Sequence, residues 1–265
     1  MTRSDLDEMV LRRLSAGEAN PILVADFQAL SMAPRLSEML SESVQGKPVF
    51  QIDPIGVLSG TRLYVPLPEL AAACADEFLR SGADHGHVFV IGHCSSSALS
   101  LRVADLLASS RPVTALLVQP AWPDDELVRA KFDEYLAKFG PATQSCPDLD
   151  ADPWAVVAAM EQLFRDEMTA LAAGRDLTSA MGAFSDLLVW YRGWLAFLLA
   201  CRNDTSIEEA VGRAAVTVLS DSPSAVEVKG LSRDAYQVVE LPTPQPAGPI
   251  KPELADFIAT HVGSH

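Results

Sequence analysis

The stretch that decides the fold is HVFVIGHCSSSALSLRVADLLASS, which spans His87 to Ser110. It opens with HVFVIGH, a nearly continuous apolar run that is typical of a central parallel strand buried on both faces. The chain then continues directly into SSSALSLRVADLLASS, which has apolar residues at helical spacing. The segment therefore predicts a strand that turns at once into a helix, with Cys94 at the turn between small neighbours.

The same alternation of strand and helix continues on both sides of this segment. Further strands are predicted at PILVADF, PVFQIDP, VTALLVQP, AAVTVLSD and AYQVVELP. Residues 4–14 have helical spacing and are predicted as a helix, and PELADFIATHV predicts a helix near the end of the sequence. Repeated βα units predict an α/β fold with a mostly parallel central sheet flanked by helices.

The pattern changes in the middle of the chain. Three long helical patterns follow one another there without a strand signal: DELVRAKFDEYLAKFG, WAVVAAMEQLFRDEMTALAAG and FSDLLVWYRGWLAFLLACR. An insertion of this size is far longer than an ordinary connection. We therefore expect a core of residues 1–121 and 203–265, with residues 122–202 as a helical lid inserted into it.

Composition and charge exclude several classes of function. The 265 residues are 49% hydrophobic and 21% charged, which is typical of a globular protein. A net charge of -15 would repel nucleic acid and anionic lipid surfaces, so neither is an expected partner. No targeting segment or membrane-spanning run is apparent, and a cytoplasmic location is expected. No glycine fingerprint or ligand cluster is present, so we expect no cofactor and no metal.

The turn at Cys94 has the frame of a nucleophile elbow, with Gly92 before it and Ser96 in the place of the final glycine. A thiol suits this position because the helix N-terminus favours the thiolate, and the amide of Ser95 can donate to a developing oxyanion. The alternative is an unreactive cysteine packed at a strand end, which is the commoner case in general. Cys74 and the other cysteines lack such a context.

From about Pro21 onward the chain resembles the thioesterase family of polyketide and nonribosomal peptide biosynthesis, a group of α/β-hydrolases. The resemblance is carried by the order and spacing of PILVADF, PVFQIDP, LAAACADEFLRSG, GHCSSS and LLVWYRGWLAFLLACR. It implies the α/β-hydrolase fold, a lid, and an acyl-enzyme formed at Cys94, although most members have serine there. The implied partner is an acyl or peptidyl carrier protein with a phosphopantetheine-linked substrate.

The sequence departs from the family pattern at the rest of the triad. Gln119 stands where many members have the acid, and Asp221 follows the next strand and is an alternative acid. Gln245 is the nearest counterpart of the family's histidine. The histidines present are badly placed for a base, since they lie before the elbow strand, beside Cys94 or near the end of the sequence: His85, His87, His93, His261 and His265.

Two further groups of residues are candidates for the site. Asp26 ends the first parallel strand and is interpreted either as an acid or base or as a cap of the following turn. Phe27 is a candidate for the second oxyanion amide. Trp190 and Trp194 are candidates for the substrate pocket, together with Gln119 and Gln245, although aromatic residues at helical spacing are more often core.

These observations favour an acyl-processing enzyme that releases, cyclises or transfers a carrier-bound chain through Cys94. Simple hydrolysis is a poorer fit because no histidine is placed to activate water. The main alternative is a catalytically degenerate relative that binds an acyl chain or carrier protein without covalent turnover. Ordinary carboxylesterase activity is a weaker third hypothesis, since such sites generally have a serine and an identifiable histidine.

Overall fold

The computed structural model describes residues 10–27, 35–60, 62–83, 86–139, 144–173, 181–206, 212–242 and 251–263. The strands are β1 (Leu11–Arg13), β2 (Ile22–Ala25), β3 (Val49–Ile52), β4 (Val88–His93), β5 (Val113–Val118), β6 (Ala215–Ser220) and β7 (Gln237–Glu240). In the described residues they form one seven-stranded sheet, in the order β1-β3-β2-β4-β5-β6-β7.

All strands of the sheet run parallel except β1, which pairs antiparallel with β3. The register places Ala25 of β2 beside Gly92 of β4, and His93 of β4 beside Val118 of β5. The last residues of β2, β4, β5 and β6 therefore meet along one side of the sheet, which we call the carboxyl edge. In parallel α/β sheets this is the edge at which ligands bind.

Helices cover the sheet and form the long middle region. They are α1 (Leu36–Ser43), α2 (Ile55–Ser59), α3 (Leu67–Arg80), α4 (Ser97–Ala108), α5 (Asp125–Leu136), α6 (Pro153–Ala173), α7 (Met181–Asn203) and α8 (Pro252–Gly263). Apolar residues of α1 and α8 pack with the central strands in one buried cluster that includes Leu40, Phe89, Ile91, Leu116 and Ile258. Burial of such side chains contributes about 1.5–3 kcal/mol each.

The chain divides into two compact units. The sheet unit comprises Met1–Asp53, Pro68–Trp122 and Asp204–His265, and the helical unit comprises Pro54–Leu67 and Pro123–Asn203. The helices predicted between residues 122 and 202 are present as α5, α6 and α7. That this region serves as a lid remains a prediction.

The predicted mostly parallel sheet with flanking helices is confirmed, and one local prediction is wrong. Residues 11–13 form β1 rather than helix, because the backbone pairs with the edge of β3. The amide of Leu14 donates to the carbonyl oxygen of Val49, and that of Asp53 to Val10, each at 2.8 Å. Among the described residues, no helix has the length and apolar content that crossing a membrane requires.

Candidate active site

The elbow at Cys94 has the strained backbone that its sequence context predicts. Cys94 follows the last residue of β4 directly and has a φ of 54°. This left-handed conformation costs an L-residue with a Cβ roughly 1–2 kcal/mol, and it persists only where the surrounding structure imposes it. A short 3-10 turn, Cys94–Ser96, then leads into α4. The backbone therefore presents the residue 94 side chain at the carboxyl edge, at the beginning of a helix.

Cys94 is the exposed member of the four cysteines, all of which lie in the described residues. Cys74 and Cys201 are buried, as expected of core residues, and burial raises the pKa of the Cys74 thiol. Cys146 is half-buried, and desolvation raises its pKa to about 11. The Cys94 sulfur lies 3.9 Å from Ser95 Oγ. Cys94 thus has the access that a nucleophile needs.

The close approach of strand and helix explains why glycine precedes the elbow. A Cβ on Gly92 would lie 2.6 Å from Ser100 Oγ and 2.9 Å from the Cα of Ser97. Both atoms belong to α4, and the second is backbone, so a side chain at position 92 would force α4 away from β4. The glycine is therefore what allows the turn to be this tight.

Ser96, which replaces the final glycine of the motif, has a structural function of its own. Its hydroxyl donates to the carbonyl oxygen of Ala25, the last residue of β2. The same Oγ accepts a hydrogen bond from the amide of His93 at 2.9 Å. Ser96 therefore ties the elbow to the neighbouring strand. The sequence identified the small residue at this position. It did not reveal the hydrogen bond to Ala25, because that bond depends on where β2 lies in the fold.

Asp26 lies at the carboxyl edge and is buried, with 1% of its surface exposed. Its Oδ2 accepts from the amide of Ser37 in the first turn of α1 at 2.6 Å, and its Oδ1 accepts from Gln51 Nε2 at 3.3 Å. Burial raises the pKa of this carboxyl, and these hydrogen bonds oppose the shift. The carboxylate therefore accepts a hydrogen bond from a helix that begins ten residues further along the chain. A role for Asp26 as acid or base remains a prediction, as does that of the amide of its buried neighbour Phe27.

Gln119 follows β5 and is held in a second left-handed conformation, with a φ of 46°. Its backbone amide donates to the carbonyl oxygen of Leu219 at 2.9 Å, and its side-chain Oε1 accepts from Ser220 Oγ at 3.3 Å. Two residues further on, the amide of Ala121 donates to the carbonyl oxygen of Cys94 at 3.2 Å. The loop after β5 is therefore fastened both to the end of β6 and to the elbow.

A cleft of about 310 Å³ opens beside this loop, entirely within the sheet unit. It is lined by Gln119, Pro120, Trp122, Ser220, Asp221, Ser222, Ala225, Val226 and Glu227. Asp221 is half-buried, and its Oδ1 accepts from Ser222 Oγ at 3.3 Å. The structure thus gathers two predicted site residues, Gln119 and Asp221, around one cleft. Gln245 lies outside the described residues.

The histidines of the sequence offer no base in the position that the family pattern expects. His85 and His265 lie outside the described residues. His87 precedes β4 and is therefore at the amino end of the strand, opposite the elbow. Its Nε2 lies 2.9 Å from Thr114 Oγ1, near the start of β5.

The two remaining histidines are also unsuited to the role. His261 precedes Val262, whose carbonyl oxygen accepts from Lys47 Nζ at 2.8 Å, and Lys47 leads into the amino end of β3. His261 is thereby placed on the side of the sheet away from the elbow. His93 adjoins Cys94 in sequence, but burial lowers its pKa to about 4, so its imidazole is only a weak base.

The candidate pocket tryptophans belong to an aromatic group of the helical unit. The rings of Trp190 and Trp194 stack with centroids 6.1 Å apart, and Trp194 also contacts Phe197 at 5.7 Å. Trp194 is buried, with 9% of its surface exposed. Such contacts are those of core side chains, and a role in binding substrate remains a prediction. The described residues hold no group of three or more His, Cys, Asp or Glu side chains arranged for a metal ion.

Comparison with solved structures identifies the fold. The chain is similar to a four-domain nonribosomal peptide synthetase bound to AMP and glycine, with a TM-score of 0.58 and 14% identity over 96% of this chain and 20% of that chain. It is similar to an α/β-hydrolase family protein from Desulfitobacterium hafniense, with a TM-score of 0.56 and 14% identity over 96% of this chain and 98% of that chain. The chain is also similar to the NocB thioesterase domain in covalent complex with a fluorophosphonate nocardicin G analogue. The TM-score is 0.49 and the identity 17%, over 96% of this chain and 99% of that chain.

The likeness to the Desulfitobacterium protein, together with the strand order and the elbow, shows that the chain has an α/β-hydrolase fold. The chain spans about 20% of the length of the synthetase. No protein-family model matches the sequence, and no curated protein matches it. Identities this low show the fold and leave the reaction to be inferred from the site.

Proposed function

We propose that the protein is a thioesterase-like enzyme that takes an acyl or peptidyl group from a carrier-protein phosphopantetheine thioester onto Cys94. The observation that carries this proposal is the exposed Cys94 thiol on a left-handed turn at the start of a helix. In the first step the Cys94 sulfur attacks the thioester carbon and the pantetheine thiol leaves, so that one thioester replaces another. The resemblance in sequence to polyketide and nonribosomal peptide thioesterases supports this substrate class.

The tetrahedral intermediate of this step needs donors for its oxyanion. We assign them to the backbone amides of Ser95 and Phe27, which follow the ends of β4 and β2. The hydrogen bond from Ser96 to Ala25 supports the assignment, because it holds those two strand ends together. Both carboxylate oxygens of Asp26 accept hydrogen bonds, one from Ser37 and one from Gln51. We therefore assign Asp26 to holding the backbone at the end of β2 in position.

The second step decides the product. With Gln119 in the acid position and the pKa of His93 lowered by burial to about 4, which makes its ring a poor proton acceptor, activation of water is weak. Attack by a nucleophile of the chain itself, or by a separate acceptor, needs less help from the protein because its proximity supplies much of the rate. Chain release by cyclisation or acyl transfer is therefore favoured over hydrolysis, and we assign Asp221 as the carboxylate that assists it. We assign the helical unit to a lid, and we retain Trp190, Trp194 and Gln245 as the residues proposed to contact the substrate.

The second candidate function is binding without turnover, in which the protein holds an acyl chain or carrier protein. It is favoured by Gln119, which stands in the position of the acid and is locked there by its backbone and by Ser220. The exposed thiol favours the enzyme, because a binding protein does not need a cysteine at that turn.

The deciding experiment is intact-mass measurement after incubation with octanoyl-N-acetylcysteamine, a soluble mimic of the carrier thioester. The enzyme proposal predicts an adduct of one octanoyl group on the wild type and on Cys146→Ala, which removes the next most accessible thiol. It predicts no adduct on Cys94→Ala. Unchanged thioester and an unmodified wild-type protein, with retention of the thioester on the protein, would instead favour the binding function.

A further inference from the structure

The cleft beside the elbow has the chemistry of a site for a primary ammonium group. Asp221 and Glu227 line it, and none of its nine lining residues carries a positive charge. Trp122 contributes an indole, whose face attracts cations. A carboxylate pair and an indole around one cleft are complementary to an alkylammonium ion rather than to an alcohol or an anion.

The walls of the cleft are fixed by hydrogen bonds to the backbone. Trp122 Nε1 donates to the carbonyl oxygen of Glu227 at 2.8 Å, which joins the two sides of the cleft. The hydroxyl of Tyr236 donates to the carbonyl oxygen of Val226 at 3.0 Å. The cleft is therefore preorganised, and a bound ion would not have to order these loops.

The cleft is also next to the nucleophile. Pro120 and Trp122 line it, and the amide of Ala121 between them donates to the carbonyl oxygen of Cys94 at 3.2 Å. The loop that lines the cleft is therefore hydrogen-bonded to the backbone of the residue that carries the acyl group in the proposed function. The Asp221 carboxylate, which follows the neighbouring strand β6, lines the same cleft.

From these contacts we infer that the acceptor in the second step is a primary amine, and that the cleft binds it as its ammonium ion; this inference rests on the proposed acyl-enzyme at Cys94. The ammonium ion loses one proton to solvent, and the neutral amine, oriented by Asp221, attacks the acyl carbon. The new C–N bond forms as the C–S bond breaks, and Cys94 leaves as a thiolate. Asp221 accepts one proton from the cationic nitrogen of the adduct and passes it to that thiolate, so the products are an amide and the free thiol.

An amine acceptor explains how the reaction can proceed without a histidine in the position that the family pattern expects. An amine becomes nucleophilic once it has lost one proton, and thioesters react with neutral amines without further activation. A carboxylate that orients the amine and accepts a proton from the cationic nitrogen of the adduct is sufficient, because that nitrogen is far more acidic than water. The amine belongs either to the acyl chain itself, giving a lactam, or to a separate molecule.

The test is a partition experiment on the octanoyl-enzyme, with n-butylamine and n-butanol as acceptors of equal chain length. The amide is expected to exceed the ester and the acid for the wild type. Asp221→Asn is expected to lower the rate of amide formation by about a hundredfold, the lower end of what a positioned base supplies. Glu227→Gln is expected to raise the amine concentration required for half-maximal rate. Glu253→Gln removes one exposed carboxylate outside the cleft and is expected to change neither quantity.

The acyl-enzyme is measured by intact mass in every variant, which separates this inference from the proposed function. Normal acylation of Cys94 followed by equal release to amine, alcohol and water would overturn the amine inference and leave the proposed function standing. Amide formation that Asp221→Asn and Glu253→Gln reduce equally would also overturn it. Absence of any acyl-enzyme would overturn both proposals.

Discussion

Arg102 and Asp204 form a buried, bidentate ion pair within the sheet unit. Arg102 Nε donates to one carboxylate oxygen of Asp204 at 2.8 Å, and Nη2 donates to the other at 2.5 Å. Arg102 lies on α4, the helix that begins at the elbow, and Asp204 is the first residue after α7. The pair therefore fixes the point at which the chain returns to the sheet unit from the long helical region.

Removing one partner of this pair is expected to destabilise the protein strongly. Arg102→Ala leaves the Asp204 carboxylate buried without its guanidinium, and the free energy of unfolding should fall by about 3–5 kcal/mol. The double variant Arg102→Met with Asp204→Leu should recover most of the loss, because no unpaired charge remains. Urea denaturation measures both. A single variant as stable as the wild type would contradict the assignment of a stabilising role to the pair.

Gly92→Ala is expected to destabilise the elbow. The added methyl group would lie 2.6 Å from Ser100 Oγ and 2.9 Å from Ser97 Cα, so α4 must shift. Overpacking of this kind costs typically about 1–3 kcal/mol. Gly56→Ala is the matched control, because a Cβ at that position of α2 meets nothing within 4 Å. Thermal unfolding of the two variants compares them directly, and equal melting temperatures would show that α4 accommodates the methyl group at no cost.

Ser96→Ala tests whether the tie to β2 positions the site. Loss of the hydroxyl should lower the free energy of unfolding by about 1–2 kcal/mol, because the carbonyl oxygen of Ala25 loses a buried donor. If the tie positions the oxyanion donors, the rate at which folded protein is acylated at Cys94 should also fall, by about tenfold to a hundredfold. Ser109→Ala removes an exposed hydroxyl at the other end of α4 and serves as control. A purely structural role would lower stability and leave the acylation rate unchanged.

The pKa of His93 predicts a specific acid sensitivity. Burial lowers it from 6.5 to about 4, so the unfolded chain binds a proton at a higher pH than the folded protein does. The contribution of His93 to stability is therefore complete above pH 6.5 and is lost as pH falls toward about 4. His93→Gln should lose less stability than the wild type across that interval in urea denaturation. Parallel pH profiles for the two proteins would contradict the shift.

The sequence was sufficient to predict those strands and helices whose residue pattern lies within one continuous segment. The apolar run before Cys94 and the helical spacing after it were enough to identify β4, the turn and α4. The strand β1 was missed because residues 4–14 have helical spacing, and only the exposed edge of β3 makes residues 11–13 extended. Helix α2, with the five residues Ile55–Ser59, is too short to show a period.

The site was predicted less completely for the same reason. The chemistry of Cys94 follows from neighbours in sequence, whereas the function of Ser96 depends on Ala25, which is 71 residues away. The left-handed turn at Gln119 likewise depends on the backbone of β6, to which its amide donates. The cleft joins residues 119–122 to residues 220–227, and no local pattern reveals that they meet.

The exposure of Cys94 has a consequence for the protein in an oxidising environment. Peroxide would convert the accessible thiol to a sulfenic acid, which is normally protected by forming a disulfide with a second cysteine. Two of the other cysteines, Cys74 and Cys201, are buried in the packed interior and Cys146 is half-buried. Wherever no second thiol resolves the sulfenic acid, oxidation proceeds to the sulfinic acid or joins two molecules through their Cys94 sulfurs, and a thiol reductant reverses only the second of these outcomes.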